Sequence, residues 1–432
     1  NWADTKASYR FFSNEKVTKN QLLRPHVART IERMNKTGKT TLVIQDTTYL
    51  DYTHHPQTKG LGKLARPMKG RNPLLGLVVH NTLAVSTDGI PLGLLDQKIY
   101  RRSEEDVSKT QWNKKRPIEK KESYRWIEVV KKMKVFFQNT PAKIVHRCDR
   151  EGDIYELLHE ISKTSHQYVI RAAKDRVIGK RFLGDATRKN KNTSLWKHME
   201  LQPVSGTVAI EVSKKAKQPK RTAICEVKYS EIDCTPSYRY PEAKSGELSP
   251  IRINAIWVKE INCHPDIKPL EWMLLTNIKT GCLEEALEKI AWYKARWHIE
   301  SYHKVLKSGC NVEKSKLDHA DKLEKFATLM SIIAARVYQL KLTGRSHPNT
   351  PCNEILEEEE WKILYYHVHK KKALPAHPPS ANEVMLWIAK LGGFLGRKSD
   401  GHPGSIVIWR GWQRLMDIIH GWKTFQLIAT SG

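Results

Sequence analysis

Chemistry in this 432-residue chain is easiest to look for where an acid stands among cations. The stretch WYKARWHIESYHKVLKSG, residues 292–309, holds one carboxylate, Glu300, among Lys294, Arg296, Lys304, Lys307, His298 and His303. The pattern reads as helix. At 3.6 residues per turn, Tyr293, Arg296, Glu300 and Lys307 fall within a sector of roughly 60°, joined by Lys304 and flanked by His303. A face carrying a hydroxyl, several cations and one acid suits the handling of phosphates. The plain alternative is a solvated face with i,i+4 pairs such as Glu300–Lys304, each worth only about 0.3 kcal/mol.

Two aspartates extend the idea. Asp46 sits inside TTLVIQDTTYLDY (residues 40–52), a β-branched run that reads as a strand, where aspartate is disfavoured. With period two it shares a face with Leu42 and Ile44, and a carboxylate on a buried face must be paired or bound to a cation. The alternative is a carboxylate hydrogen-bonded locally beside Thr47 and Thr48. Asp149 closes the apolar strand AKIVHRC, and strand carboxyl ends are where ligand groups collect in α/β sheets. Its alternative is a loop or capping role, although Asp153 and Glu156 have the spacing of a capping box at the start of DIYELLHEIS. Together, Asp46, Asp149 and Glu300 would make a hard-oxygen site for Mg²⁺ or Mn²⁺. Two such ions about 4 Å apart serve phosphodiester chemistry, one at the attacking oxygen and one at the leaving oxygen.

Composition points the same way. The formal net charge of +28 calls for a polyanionic partner, most simply a nucleic acid, bound with strongly salt-dependent affinity. Seven cysteines include no C-x-x-C pair, which excludes a zinc ribbon or finger and leaves reduced thiols. No apolar run approaches a membrane span and no signal peptide is visible, so the expected location is cytoplasmic.

The elements that must position these residues follow in order. Residues 1–30 read as a helical arm. The strand at 40–52 and a hairpin of LLGLVVHNTLAVS and IPLGLLDQKIYRR, turned at TDG, suggest an antiparallel meander. A basic stretch at 104–121, a helix at 122–139, the Asp149 strand and a helix after it complete the first part of a core, 31–165. Strand-like pieces separated by polar loops such as SKKAKQPKR mark a β-rich insertion at 166–271. EWMLLTNI (271–278) returns the chain to a second core part, 272–345, with helices at 282–309 and about 318–343. Beyond GRSHPNTP, helices at 353–369, 381–396 and 408–425 form a C-terminal region, 346–432.

These residues match a family pattern. YKARWHIESYHKVLK fits the Y-x2-R-x3-E-x6-K signature of the insertion-sequence-four group of bacterial DDE transposases. IQDTTYLDY, CDREGDIYELL, PLEWMLLT, IAKLGGFLG and IWRGWQRL resemble further segments of that family in the same order. The resemblance implies an RNase H-like α/β core, a mixed five-stranded sheet with helices, interrupted by the β-rich insertion. It implies Asp46, Asp149 and Glu300 as catalytic triad and ligands of two Mg²⁺ or Mn²⁺ ions. It makes Tyr293, Arg296, Lys304 and Lys307 contacts to the transposon-end backbone, Trp272 the ring that stacks on a flipped base, and Arg171 a further DNA contact. The implied activity is cut-and-paste transposition: nicking, hairpin formation and resolution, then strand transfer into target DNA. The implied partners are double-stranded DNA and a second copy of the chain, paired in the C-terminal region, at the bacterial nucleoid. The family's N-terminal end-recognition domain has no counterpart before ASYRFFSNEKVT, and the chain opens on Asn1. The expectation is therefore DNA binding with little preference for its own ends. The alternatives are an inhibitory DNA-binding form without productive transposition, or an RNase H-like nuclease.

Overall fold

A computed structural model describes residues 2–65, 72–103, 116–138, 142–179, 193–213, 219–236, 245–370 and 373–430. Helices α1 (Trp2–Ser13) and α2 (Lys19–Thr37) precede strands β1 (Thr41–Asp51), β2 (Gly62–Lys63), β3 (Leu75–Ser86) and β4 (Pro91–Tyr100). Next come α3 (Tyr124–Phe136), β5 (Ile144–Cys148), α4 (Tyr155–Ser162) and β6 (Gln167–Arg171). Then follow β7 (Val177–Ile178), β8 (Thr193–Ser194), α5 (Leu195–Glu200), β9 (Gly206–Val212), β10 (Arg221–Cys234), β11 (Ile251–Glu260) and β12 (Glu271–Thr276). The chain closes with α6 (Leu283–Lys294), α7 (Trp297–Lys304), α8 (Ala320–Ser346), α9 (Glu358–His369), α10 (Ala381–Leu391) and α11 (Ser405–Thr430). Most of the basic stretch at 104–121 and of the loop SKKAKQPKR lies outside the described residues. Among the described residues no helix is long and apolar enough to cross a membrane.

The chain divides into two compact units, a β-rich one of residues Gly38–Asp46 and Lys109–Trp297, and a helical one of Asn1–Thr37, Thr47–Ser108 and His298–Gly432. In the β-rich unit, β1 and β5 pair in parallel from Thr41↔Ile144 to Ile44↔Arg147, and β5 pairs in parallel with β6. Every residue of β5 is buried, as a parallel strand covered on both faces requires. Trp126, Ile127 and Val130 of α3 and Leu157, Leu158 and Ile161 of α4 share a buried cluster with Tyr168 and Ile170 of β6. Burying each such aliphatic side chain contributes roughly 2 kcal/mol.

Three expectations are corrected here. First, β6 was assigned to the insertion, yet it is the parallel neighbour of β5, and β12 pairs antiparallel with it through Leu274↔Arg171 to Thr276↔Val169. The sheet does not stop at five strands, because β11 and β10 continue it from β12, with β9 and β7 on β10. The free edge of β12 carries unpaired backbone donors and acceptors, and pairing β11 there satisfies them. Second, Asp153 does not cap α4, whose N-cap is Ile154 without a side-chain bond. Asp153 is buried, accepts from Ala173 N (2.7 Å) and Lys174 N (3.0 Å), and pairs with Arg176. A guanidinium and two loop amides outbid a helix terminus for a buried carboxylate. Third, 282–309 is not one helix. It breaks after Lys294, resumes at Trp297, and ends in a π turn over Val305–Gly309.

In the helical unit β3 and β4 form the expected hairpin, antiparallel with irregularities at Thr82/Leu83 and Ala84/Val85. The TDG turn closes through Ser86 N to Ile90 O (2.9 Å), with Gly89 at φ +85°. The second half of β1 runs beside β3, and a Cβ on Gly76 would lie 1.9 Å from Leu50 O. Helices α10 and α11 also meet backbone to backbone: a Cβ on Gly411 would sit 1.7 Å from Ile388 O, and one on Gly392 1.9 Å from Val407 O. Gly411→Ala must force these helices apart, at a cost of about 2 kcal/mol or more. Urea unfolding followed by tryptophan fluorescence should show a lowered midpoint, and an unchanged midpoint would contradict this packing.

Candidate active site

Parallel register places the two aspartates. Ile44 faces Arg147 across the ladder, so two residues further on Asp46, midway along β1, comes level with Asp149, just past the carboxyl end of β5, on adjacent strands roughly 4.8 Å apart. Alternation puts both on the face of Leu42, Ile44, Val145 and Arg147. Both are half-buried. The buried Cys148 thiol registers them together: burial raises its pKa most, and the charges of Asp149 and Asp46 push it further the same way. Asp149 also caps the short 3₁₀ turn Arg150–Gly152, its Oδ1 accepting from Glu151 N at 2.8 Å. The capping role weighed for Asp149 is therefore real, and it occupies one of its two oxygens.

Four more candidates gather in the same unit. Trp272, half-buried on β12, packs edge-on against Tyr293 with ring centroids 5.0 Å apart at 69°. The Arg296 guanidinium lies 6.0 Å from the centre of the Tyr293 ring. Arg171 donates to Glu271 O at 2.7 Å and to the Tyr293 hydroxyl; burial lowers its pKa, with Arg150 and Arg296 adding to the effect. Tyr293 itself is only 4% exposed, so its ring is a support for Trp272, Arg171 and Arg296 more than a surface group.

Arg147 was not singled out from the sequence. It is fully buried, and its Nε, Nη1 and Nη2 find no hydrogen-bond partner among the described residues. Burial drives its pKa well down and Arg296 adds to that, while Tyr293 opposes. The only signal was a charged residue inside the otherwise apolar IVHRC.

Glu300, Lys304 and Lys307 belong to the helical unit. The break at residues 295–296 and the π turn remove the single helix face expected for the four signature residues and Lys304. Tyr293 ends on α6, Arg296 lies between helices, Glu300 and Lys304 share α7, and Lys307 sits in the π turn. Lys304 is exposed. Lys307 is tied down, donating to Tyr49 O at 2.8 Å and pairing with Glu313 at 3.2 Å. Beneath α7, Asn81 Nδ2 meets His303 Nε2 at 3.1 Å, and Gln97 Nε2 donates to Asn81 Oδ1 (2.8 Å) and Ser331 Oγ (2.7 Å). An imidazole that accepts from an amide is neutral, and burial, aided by the charge of Lys307, lowers His303 to about 3. Among the described residues, no group of three or more His, Cys, Asp or Glu side chains is disposed to hold a metal ion.

Residues 332–431 match the family model described as the Transposase Tn5 dimerisation domain. The match covers α9, α10 and α11 and most of α8. Asp46, Asp149 and Glu300 lie outside it.

Acid stability tests the buried imidazole. Below about pH 6.5 the unfolded chain protonates His303, while the native state refuses the proton until about pH 3, so stability falls as pH drops through that window. His303→Gln, which keeps an acceptor for Asn81, should reduce the fall by up to about 1.4 kcal/mol per pH unit. His26, also lowered to about 3 by burial, leaves a residual slope. Urea titrations at several pH values between neutral and 4.5 measure the difference, and parallel slopes for the two proteins would refute it.

Proposed function

We propose that this chain is a DNA transposase of the cut-and-paste type, acting as a homodimer on double-stranded DNA by metal-dependent phosphoryl transfer. The observation that carries the reading is the match of residues 332–431 to a transposase dimerisation domain. The sheet order around β1 supports an RNase H-like core: β5 pairs with it in parallel and β6 lies beyond β5, while β3 of the β3–β4 hairpin runs beside its second half.

The acid pair supports the chemistry. Two half-buried carboxylates, level with each other on adjacent strands, offer the hard oxygen donors that Mg²⁺ or Mn²⁺ prefers. Asp46 and Asp149 would hold the ions with Glu300 as the third ligand, the last on the strength of the family resemblance. When bound, such ions lower the pKa of water and neutralise charge building on a phosphate.

The chain's own groups do the rest. Arg296 and Arg171 hold phosphates of the reacting strand near the aspartates, and exposed Lys304 grips the backbone; Lys307 contributes less, its charge being matched by Glu313. Water attacks the phosphorus at the transposon end and the 3′-oxygen leaves with a proton. The freed 3′-hydroxyl attacks a phosphodiester of the opposite strand, whose flanking 3′-oxygen leaves with the proton, and the two strands are joined as a hairpin. Trp272, backed by Tyr293, supplies a ring for the base displaced at that bend, a stacking contribution of about 1–3 kcal/mol. A second water attacks the hairpin phosphodiester and releases the same 3′-hydroxyl, which then attacks a target phosphodiester and displaces the target strand's 3′-oxygen as a hydroxyl.

Asp149→Asn should abolish Mg²⁺-dependent nicking of a duplex end while leaving the binding isotherm intact; nicking at the normal rate would remove Asp149 from the chemistry. Trp272→Ala should leave first-strand nicking near normal and slow hairpin formation by roughly tenfold or more, the stacking energy expressed as rate. Gel analysis of the products separates the steps. Equal losses in both steps would assign Trp272 to the core, and hydrolysis without any joined product would mark a nuclease.

A further inference from the structure

The helical unit contains a second concentration of positive charge, apart from the aspartates. Lys304 closes α7, Lys341 lies on α8, and Arg345 stands in the last turn of α8. Lys341 is half-buried and donates to Ser405 Oγ, at the start of α11, at 3.1 Å. Its pKa is lowered first by burial, then by the charges of Arg345 and Lys304, with no carboxylate opposing them. Among the described residues none of the three cations forms an ion pair. The π turn closes one side of the cluster, where a Cβ on Gly309 would meet Ser405 Cβ at 3.2 Å. Lys304 and Arg345 are exposed, so the cluster is open to solvent.

Packing like charges together costs free energy unless an anion offsets it. Three unpaired cations from two helices, one of them held in place by a hydroxyl, favour a ligand with several negative charges in a row. An open face, not an enclosed pocket, favours a chain of phosphates over a single small anion. We propose that Lys304, Lys341 and Arg345 form a DNA-backbone grip on the helical unit, with Ser405 fixing the central lysine. It rests on the same DNA-binding reading as the function above, but not on the acid pair. The grip holds at least two phosphates and reads no base sequence.

Fluorescence anisotropy with a duplex of arbitrary sequence, in EDTA, between about 50 and 200 mM NaCl tests it. Each lost phosphate contact flattens the slope of log K against log salt by about 0.9. Lys341→Gln with Arg345→Gln, which keeps a donor for Ser405, should flatten the slope by nearly two. The affinity lost across that salt range should then shrink roughly tenfold. Lys341→Arg with Arg345→Lys should retain the normal slope, as should Lys16→Gln with Lys36→Gln, two exposed cations elsewhere on the same unit. A normal slope in the glutamine pair, or an equal flattening in the Lys16/Lys36 control, would overturn the grip. So would inorganic phosphate, at matched ionic strength, displacing the duplex from the unaltered protein but not from the glutamine pair, since that marks a free-phosphate site. Asp149→Asn assayed alongside keeps the questions apart: its nicking result bears on the catalytic reading and leaves these slopes untouched.

Discussion

The parallel register between β1 and β5 is the constraint on which the candidate chemistry depends. Neither Asp46 nor Asp149 has a position of its own making. Each is carried into place by apolar residues of its own strand, Leu42 and Ile44 for Asp46, Ile144 and Val145 for Asp149, whose burial fixes which face points where. A slip of one residue would send one carboxylate to the opposite face. The helices α3 and α4 hold that register by filling the cluster around Tyr168 and Ile170. Core packing and site geometry are therefore one problem in this unit. The buried Arg147 is what that solution tolerates, a charge shut in by the same packing that aligns its neighbours.

Much of this was legible in the residues. The strand around Asp46, the hairpin with its TDG turn, the strand ending at Asp149 and the C-terminal helices all carry strong local signals: β-branched runs, turn residues and helical periodicity. What could not be read has physical reasons. The break between α6 and α7 falls at Ala295 and Arg296, both good helix formers, with no proline or glycine to announce it. The expected common face of Tyr293, Arg296, Glu300 and Lys307 went with it. Asp153 had the spacing of a cap, but a buried carboxylate follows the strongest donors, and Arg176 lies 23 residues away. QYVIR is a short apolar run, and its choice of a parallel partner depends on β5, not on itself. The Asn81–His303 bond joins residues 222 apart, beyond any local pattern.

The charge balance takes on meaning only when sorted by partner. Lys307, Arg176, Arg221 and Arg336 are matched by Glu313, Asp153, Glu260 and Glu360, and so hold the fold together more than they advertise for a ligand. Lys304, Lys341 and Arg345 are a different population. A count of basic residues cannot separate the two groups: Lys304 and the signature Lys307, three positions apart, have very different surroundings.

The glycine contact between α10 and α11 has a practical consequence. Where Gly411 meets Ile388 O and Gly392 meets Val407 O, helix touches helix through uncharged backbone, and Arg414 adds one charged bond beside them by donating to Leu391 O. Electrolyte has nothing to screen in the glycine contacts themselves. Contacts made by charged side chains weaken as ionic strength rises, whereas these backbone contacts do not. Concentrated salt should therefore leave the two helices joined where their glycines meet.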